Sequence, residues 1–235
     1  MSKMEQEKSW ETSMLGYGDA LKAIVAAHPD AKILELGAGR RPSFTFEEMP
    51  STVKSYTVND ISPEELSLLP DGYDQACFDV SGDASNFSDR YDVVFSRFLA
   101  EHVADGEAMH RNVYQVLRDG GTAFHLIPTL YAMPFVINKF LPERLTSWVL
   151  ATFAPRRAIN PKFPAYYSMC YGDPEKMARK LKQIGYSKVE VRSFYGHFYY
   201  EKIPVLRGIH RWFSDLAARN EWTRLSSYAY IKAEK

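Results

Sequence analysis

Residues 32–43, KILELGAGRRPS, constrain the fold of this chain more than any other stretch. Residues 33–36 form a short, mostly apolar run bounded by a turn, which predicts a buried strand of a parallel sheet. Gly37 and Gly39 follow directly, and glycines at this point let the backbone bend sharply and let a ligand approach. A Gly-x-Gly turn alone is shared by several cofactor-binding folds and by plain tight turns, so it needs support from the rest of the chain.

The same alternation of strands with turns and helices continues along the chain. Four further runs read as strands, at residues 55–58, 74–79, 90–96 and 122–127, and helical stretches or turns separate them. This alternation predicts an α/β fold with a doubly wound, Rossmann-like sheet. Ligands of such sheets bind outside the carboxyl ends of the strands, so the residues at those ends are the candidates for a site.

Composition limits the possible functions. The 235 residues suit a single domain, and Lys plus Arg balance Asp plus Glu at 29 each, so no global field favours nucleic acid or an anionic membrane. The two cysteines, Cys77 and Cys170, show neither metal nor disulfide spacing. No run has signal-peptide or transmembrane length. We therefore expect a soluble cytoplasmic protein without a nucleic-acid partner or stable membrane association.

Acidic residues follow the second and third predicted strands. Asp60 comes 21 residues after Gly39, where a carboxylate accepts hydrogen bonds from ribose hydroxyls. The alternative is that Asp60 caps the next helix, although Ser62 before Pro63 is a better cap. Asp79 can accept a hydrogen bond from an exocyclic amine such as that of adenine, and Asp83 is a second candidate for this role. Either residue can instead be a turn residue.

Four segments, KILELGAG, VNDIS, RYDVVFSRFLAEHV and LRDGGTAFHLIP, together resemble the successive motifs of class I S-adenosylmethionine (SAM)-dependent methyltransferases, most closely the type 11 small-molecule branch. The resemblance covers residues 31–128. It implies a seven-stranded, mostly parallel sheet closed by an antiparallel C-terminal strand, with SAM as cofactor and S-adenosylhomocysteine (SAH) as product. The cofactor-binding residues that we predict are Tyr17, Glu35, Gly37, Gly39, Asp60, Ile61, Asp79, Val80, Ser96 and Arg97. Ordinary packing is the alternative for Tyr17.

The chain departs from the family pattern after the glycines. Arg41 stands where the family has a third glycine, and Pro42 follows, so the first helix cannot start in the usual way. The path of this loop and the role of Arg40 stay open. Pro42 also disfavours a nicotinamide-dependent oxidoreductase, which needs Gly-x-Gly-x-x-Gly. A non-catalytic cofactor-binding module of the same fold is a further alternative.

Residues just beyond the fourth strand are candidates for proton transfer. His102 is the candidate general base, because an imidazole titrates near neutrality; its alternative is a structural role at the start of the next helix. His125 lies inside a predicted strand, so we expect a buried histidine whose ring nitrogens are hydrogen-bonded within the protein. Some relatives bind Mg²⁺ or Zn²⁺ with Glu-x-x-Glu-His at this place, but Phe98 replaces the first glutamate, so we predict no metal.

The acceptor is expected under an insertion that follows the fifth strand. We divide the single domain, residues 1–235, into an N-terminal helical segment (1–30), a cofactor-binding core (31–128), an acceptor-covering lid insertion (129–172) and a C-terminal part that completes the sheet (173–235). The apolar, aromatic insertion suits a small-molecule acceptor that is aromatic, sugar-like or an amine. An alternative for residues 135–153 is that they lie in a membrane interface. The basic residues of the insertion either meet an anionic group or lie on the surface: Arg144, Arg156, Arg157 and Lys162. The sequence predicts no oligomeric state.

Overall fold

The computed structural model describes residues 7–130, 164–197 and 204–235. Seven strands form one sheet in this part of the chain. They are β1 (Ala31–Glu35), β2 (Val53–Asp60), β3 (Asp74–Cys77), β4 (Tyr91–Arg97), β5 (Leu117–Pro128), β6 (Lys188–Phe194) and β7 (Tyr228–Glu234). Their spatial order is β3-β2-β1-β4-β5-β7-β6, and β7 runs in the opposite direction to the other six strands. The predicted Rossmann-like α/β fold with an antiparallel C-terminal strand is confirmed.

Six α-helices accompany the sheet in the described residues. They are α1 (Trp10–Leu15), α2 (Tyr17–Ala26), α3 (Pro63–Ser67), α4 (Gly106–Val116), α5 (Pro174–Ile184) and α6 (Pro204–Arg219). The sequence predicts a helix over residues 174–184 that is capped by Asp173 and ended by Gly185. The structure has this helix, and the Asp173 side chain accepts from the amide of Lys176. Gly185 closes that helix with a positive φ, as predicted. None of the helices described is long and apolar enough to cross a bilayer.

The crossover from β1 to β2 contains no α-helix in this structure. Only a 3-10 turn, Phe46–Glu48, lies between the glycine turn and β2. The prolines at positions 42 and 50 explain this result, because each limits helical backbone on its N-terminal side. The expectation that only a short helix fits here is confirmed.

Two predicted boundaries were wrong. Gly16 and Gly18 favour a regular helix that begins near Asp19, but the second helix begins at Tyr17, because Gly16 ends α1 and the chain re-enters helical geometry at once. Strand β5 begins at Leu117, not at Thr122, because Leu117 already pairs with Tyr91. Gly120 and Gly121 therefore do not stop a helix ahead of the strand. They lie in an irregular part of β5, where the register against β4 shifts and Gly120 has a φ of +77°.

The core has two halves, one on each face of the sheet. Alternate residues of the central strands point in opposite directions, so Ile33 and Val93 join one cluster while Leu34 and Val94 join the other. The first cluster packs under α2, through Leu21 and Val25, and the second under α4 and α5. Because both faces are covered, all four of these strand residues are fully buried.

The topology places the polar residues predicted for the site along one rim. Strands β1 to β5 are parallel, so their carboxyl ends lie on the same edge, and the start of the antiparallel β7 joins them. In order along this rim stand the ends of β3, β2, β1, β4 and β5. Most of the predicted insertion, including its four basic residues, lies outside the described residues, as does the segment 135–153.

Candidate active site

The glycine turn after β1 has a backbone that only glycine adopts easily. Gly37 and Gly39 have φ angles of +68° and +53°. A Cβ on Gly37 would lie 2.6 Å from Cδ1 of Leu99, and a Cβ on Gly39 would lie 3.0 Å from Oδ2 of Asp60. The turn is therefore packed between the end of β4 and the end of β2. The second distance also shows that Asp60 and the glycine turn lie together, as the sequence predicts.

Glu35 fastens the loop that follows the glycines. Its buried carboxylate accepts hydrogen bonds from the amide and hydroxyl of Ser43 and from the hydroxyl of Tyr56. Burial raises the pKa of Glu35, and these hydrogen bonds together with the charge of Arg97 act in the opposite direction. The carboxylate thus holds Ser43 against the end of β1, which sets the path of the loop that Pro42 made hard to predict.

Asp60 is not the cap of helix α3. Ser62 holds that position, and its Oγ accepts from the amide of Glu65 at 3.1 Å. Asp60 instead accepts from the amide of Ser62 through Oδ1, at 2.9 Å, while Oδ2 faces Gly39. The better cap predicted from the sequence is therefore the one used. Asp60 stays half-buried at the rim, where a carboxylate can meet a ligand.

Asn59 is a site residue that the sequence analysis missed. Its buried side-chain amide donates to the carbonyls of Ala76 and Phe78, at 2.9 Å each, and its Oδ1 lies 3.4 Å from the amide nitrogen of Gly37. One side chain thereby ties together the ends of β1, β2 and β3. A polar residue in an otherwise buried strand next to Asp60 was the available signal.

Arg40 pairs with Glu65 on helix α3. The guanidinium donates from Nε and Nη2 to the two carboxylate oxygens, at 2.7 and 2.6 Å. Such a two-point geometry is specific for arginine. Hydrogen bonding and charge of Arg40 lower the pKa of Glu65. The pair closes the outer wall of the glycine turn, and this answers the open question of what Arg40 does.

Asp79 and Asp83 both form local turns. Asp79 is exposed and accepts from the amide and the hydroxyl of Ser81, at 2.8 Å each, and Asp83 accepts from the amide of Ser85 at 2.9 Å. Backbone hydrogen bonding lowers the pKa of Asp83. Val80 beside them is buried, and its carbonyl accepts from Asn112 at 3.0 Å. The adenine contact of Asp79 and Val80 stays a prediction.

The predicted residues around the end of β4 contact one another. The hydroxyl of Tyr17 donates to the carbonyl of Ser96 at 3.1 Å, and the Tyr17 ring stacks on Phe124. Burial raises the pKa of Tyr17. The Oγ of Ser96 bonds Nδ1 of His125 at 2.8 Å, and Arg97 lies over the Tyr17 ring. This geometry favours packing for Tyr17, and the contacts of Tyr17, Ser96 and Arg97 with a cofactor stay predictions, as does that of the exposed Ile61.

The chain turns sharply after β4. Phe98 has a φ of +57°, which is unusual for a bulky residue and stores strain beside the rim. The turn brings Leu99 over Gly37 and leads into the 3-10 turn Ala100–His102. His102 is exposed, and its Nδ1 lies 2.9 Å from the carbonyl of Pro164. Glu101 is buried, and its carbonyl accepts from the amide of Tyr166 at 2.7 Å.

The acceptor side of the rim carries a second imidazole. His197 follows β6, and its Nε2 lies 2.7 Å from the hydroxyl of Tyr228 at the start of β7. Both side chains are buried, and the Tyr228 ring also contacts Phe98. The sequence places His197 and His210 in an aromatic C-terminal region from which either can reach the acceptor, and this stays a prediction. In the part of the chain that the structure describes, no group of three or more His, Cys, Asp or Glu side chains is arranged to hold a metal.

Two buried histidines should make the protein sensitive to acid. Burial lowers the pKa of His110 to about 4 and also lowers that of His125, whose ring contacts His110. Between pH 6.5 and about 4 these histidines are protonated in the unfolded chain but stay neutral in the folded protein. The free energy of unfolding therefore falls as the pH falls through this window. For His110 the loss between pH 6.5 and pH 5 is about 2 kcal/mol.

Urea unfolding of His110→Leu at several pH values checks this prediction. We expect the variant to lose about 2 kcal/mol less than the wild type between pH 6.5 and pH 5. His28→Leu, at a half-exposed position, serves as the matched control. Parallel stability curves for the wild type and His110→Leu would contradict the prediction.

The rim offers the groups that an adenosyl amino acid needs. A carboxylate, that of Asp60, stands at the end of β2, and the positive-φ glycine turn lies beside it. A model of a family described as a methyltransferase domain matches residues 14–195, most of the sequence. The chain belongs to this methyltransferase family.

Solved structures share the fold of this methyltransferase. The trans-methyltransferase CalH in complex with SAH is 20% identical with a TM-score of 0.55, over 92% of this chain and 55% of that one. A SAM-dependent methyltransferase from Mesorhizobium loti is 16% identical with a TM-score of 0.55, over 92% and 96%. Phosphoethanolamine N-methyltransferase 2 from Haemonchus contortus, in complex with SAM, is 15% identical with a TM-score of 0.56, over 96% and 52%.

The methyltransferase spans about half the length of two of these proteins. No curated protein sequence matches it. Family membership together with the shared fold identifies it as a class I SAM-dependent methyltransferase, as the resemblance implied. The type 11 branch, the acceptor and the residue roles stay predictions.

Proposed function

We propose that this enzyme transfers the methyl group of SAM to an oxygen or nitrogen of a small-molecule acceptor. The observation that carries the proposal is the order of groups along the rim. Asp60 and the glycine turn stand at the ends of β2 and β1, and the next strand end, that of β4, leads directly to Glu101 and His102. A cofactor lying from β3 towards β1 directs its sulfonium to the groups after β4.

Cofactor binding rests on the first three strand ends. Asp60 accepts hydrogen bonds from the ribose hydroxyls, and the backbone of the turn at Gly37 and Gly39 receives the amino-acid part. Asp79 and Val80 hold the adenine. Glu35 supports cofactor binding indirectly, because its carboxylate is hydrogen-bonded to Ser43 and Tyr56 and keeps the loop in place. Tyr17, Ile61, Ser96 and Arg97 border the same space.

SAM, when bound, supplies an activated methyl group on a positively charged sulfur. The protein has to orient the acceptor for an in-line displacement and to remove its proton. His102 is suited to proton removal because a bond from Nδ1–H to the Pro164 carbonyl fixes the tautomer in which Nε2 carries the lone pair. The exposed imidazole can then release the proton to solvent.

The acceptor lies under the insertion that follows β5, in the division proposed from the sequence. The end of this insertion is held to the turn after β4, because the amides of Tyr166 and Tyr167 both donate to the Glu101 carbonyl. Aromatic side chains of this segment, including the exposed Tyr166, suit an acceptor with a ring or another apolar part. An amine acceptor is supported by the similarity in fold to a phosphoethanolamine N-methyltransferase.

Calorimetric titration with SAH, followed by transfer assays with radiolabelled SAM, tests the proposal. We expect binding of SAH and methylation of at least one compound in a panel of phenols, sugars and primary amines. Absence of heat with SAH and with SAM would refute cofactor binding. Tight binding of SAH with no methylation across the panel would favour the non-catalytic alternative.

A further inference from the structure

One carboxylate oxygen at the rim has no partner. The side chain of Glu101 is buried, with 7% of the residue exposed, and its Oε2 makes no hydrogen bond within the part of the chain that the structure describes. A buried polar atom left in this way costs about 1–3 kcal/mol or more, since it loses water without gaining a replacement. Such an atom is therefore a candidate for a ligand contact.

The position of Glu101 connects it to the cofactor turn. It follows Leu99, whose side chain packs on Gly37, by two residues along the same tight turn. It also lies under the returning end of the insertion, because its carbonyl accepts from Tyr166 and Tyr167. Glu101 thus stands between the segment that receives the methionine part of the cofactor and the segment that covers the acceptor.

Two titratable groups lie beside this carboxylate within the described ranges: His102, whose Nε2 lies 3.8 Å from Oε1, and the buried thiol of Cys170. The distance to His102 fits an ion pair but is too long for a hydrogen bond. Burial raises the pKa of Glu101 to about 7, and the charge of His102 acts in the opposite direction. The carboxyl therefore exchanges its proton near neutral pH.

We propose that Glu101 binds the methyl acceptor directly, through a hydrogen bond from the acceptor's O–H or N–H to Oε2. The proposal rests on the proposed function and names a recognition group for it: the acceptor is a hydrogen-bond donor. A thiolate or an aromatic carbon without such a proton does not satisfy Oε2.

The bond to Glu101 also gives the proton a destination. The acceptor lone pair forms a bond to the methyl carbon while the carbon–sulfur bond breaks, and its electron pair stays on sulfur, which becomes a neutral thioether. The acceptor's proton passes to Oε2, and the carboxylate becomes a neutral acid. The carboxyl group then turns about its Cγ–Cδ bond and donates this proton to Nε2 of His102, which lies 3.8 Å from Oε1 and releases the proton to solvent. Glu101 is the first proton acceptor in this scheme, and His102 is the second.

Sinefungin gives a test that needs no identified acceptor. In this SAM analogue a carbon bearing an amine replaces the methylated sulfur, so the amine stands where the methyl group meets the acceptor. Calorimetry would compare SAH and sinefungin for the wild type, for Glu101→Gln and for the control Glu190→Gln, at an exposed position on β6. Melting temperatures at pH 8 would be measured for all three.

We expect Glu101→Gln to weaken sinefungin binding at least tenfold while SAH binding stays within threefold of the wild type. Its melting temperature at pH 8 should be no lower than that of the wild type, because the folded carboxyl gives up its proton less readily than the unfolded one. Glu190→Gln should change neither affinity.

Two results would overturn the proposal while leaving SAM binding intact. Unchanged sinefungin affinity in Glu101→Gln would show that Oε2 does not face the methyl position. A lower melting temperature with an equal loss of both ligands would show a structural role. If the wild type bound neither SAH nor sinefungin, cofactor binding at this rim would itself be refuted, and the proposal with it.

Discussion

Asp60→Asn is expected to weaken SAH binding about a hundredfold while the protein keeps its stability. Hydrogen bonds to a charged acceptor contribute about 1.5–3 kcal/mol each, and the amide replaces a carboxylate that accepts from two ribose hydroxyls. Folding is spared because the asparagine oxygen can still accept from the Ser62 amide, as Oδ1 of Asp60 does. Calorimetry with SAH and thermal melting measure the two effects separately.

Asp83→Asn is the matched control for this prediction. Asp83 makes the same type of turn, with Ser85, after β3. If Asp79 is the adenine contact, SAH affinity should be unchanged in Asp83→Asn and reduced in Asp79→Asn. Equal affinity of the wild type and Asp60→Asn would contradict the ribose role of Asp60.

His102→Asn should lower the rate of methyl transfer about a hundredfold or more, the usual size of a lost acid–base group. The side-chain nitrogen of asparagine can occupy the place of Nδ1 and keep the bond to the Pro164 carbonyl, but it cannot take a proton. SAH affinity and melting temperature should therefore stay unchanged. Transfer would be followed with radiolabelled SAM and the first acceptor found in the panel.

The comparison variant His102→Phe removes both the bond to Pro164 and the base. If His102 only anchors the insertion, His102→Asn should be active and His102→Phe impaired. That outcome would contradict the role in proton transfer and support the structural alternative. Loss of rate in both variants, with a lower melting temperature only in His102→Phe, is the result we expect.

The sequence determined the architecture of this protein because the signals are local. Apolar runs of strand length, turns rich in glycine and helix caps each depend on a few neighbouring residues, and their order along the chain fixes a parallel sheet. The carboxyl ends of parallel strands must meet at one rim, so the neighbourhood of Gly39 and Asp60 was predictable without coordinates. Segments 55–58 and 90–96 were identified as strands by the same local rule, and the structure has strands there.

Only the tertiary structure decided which polar groups are already bonded within the protein and which can still bind a ligand. Arg40 forms an ion pair with Glu65, and Asn59 connects three strand ends. Both depend on contacts between residues far apart in the sequence. Glu101 and His102 are adjacent and both contact residues 164–167, yet the carboxylate is buried and the imidazole beside it is exposed. Burial and desolvation arise from such distant packing, and therefore no local pattern predicts them.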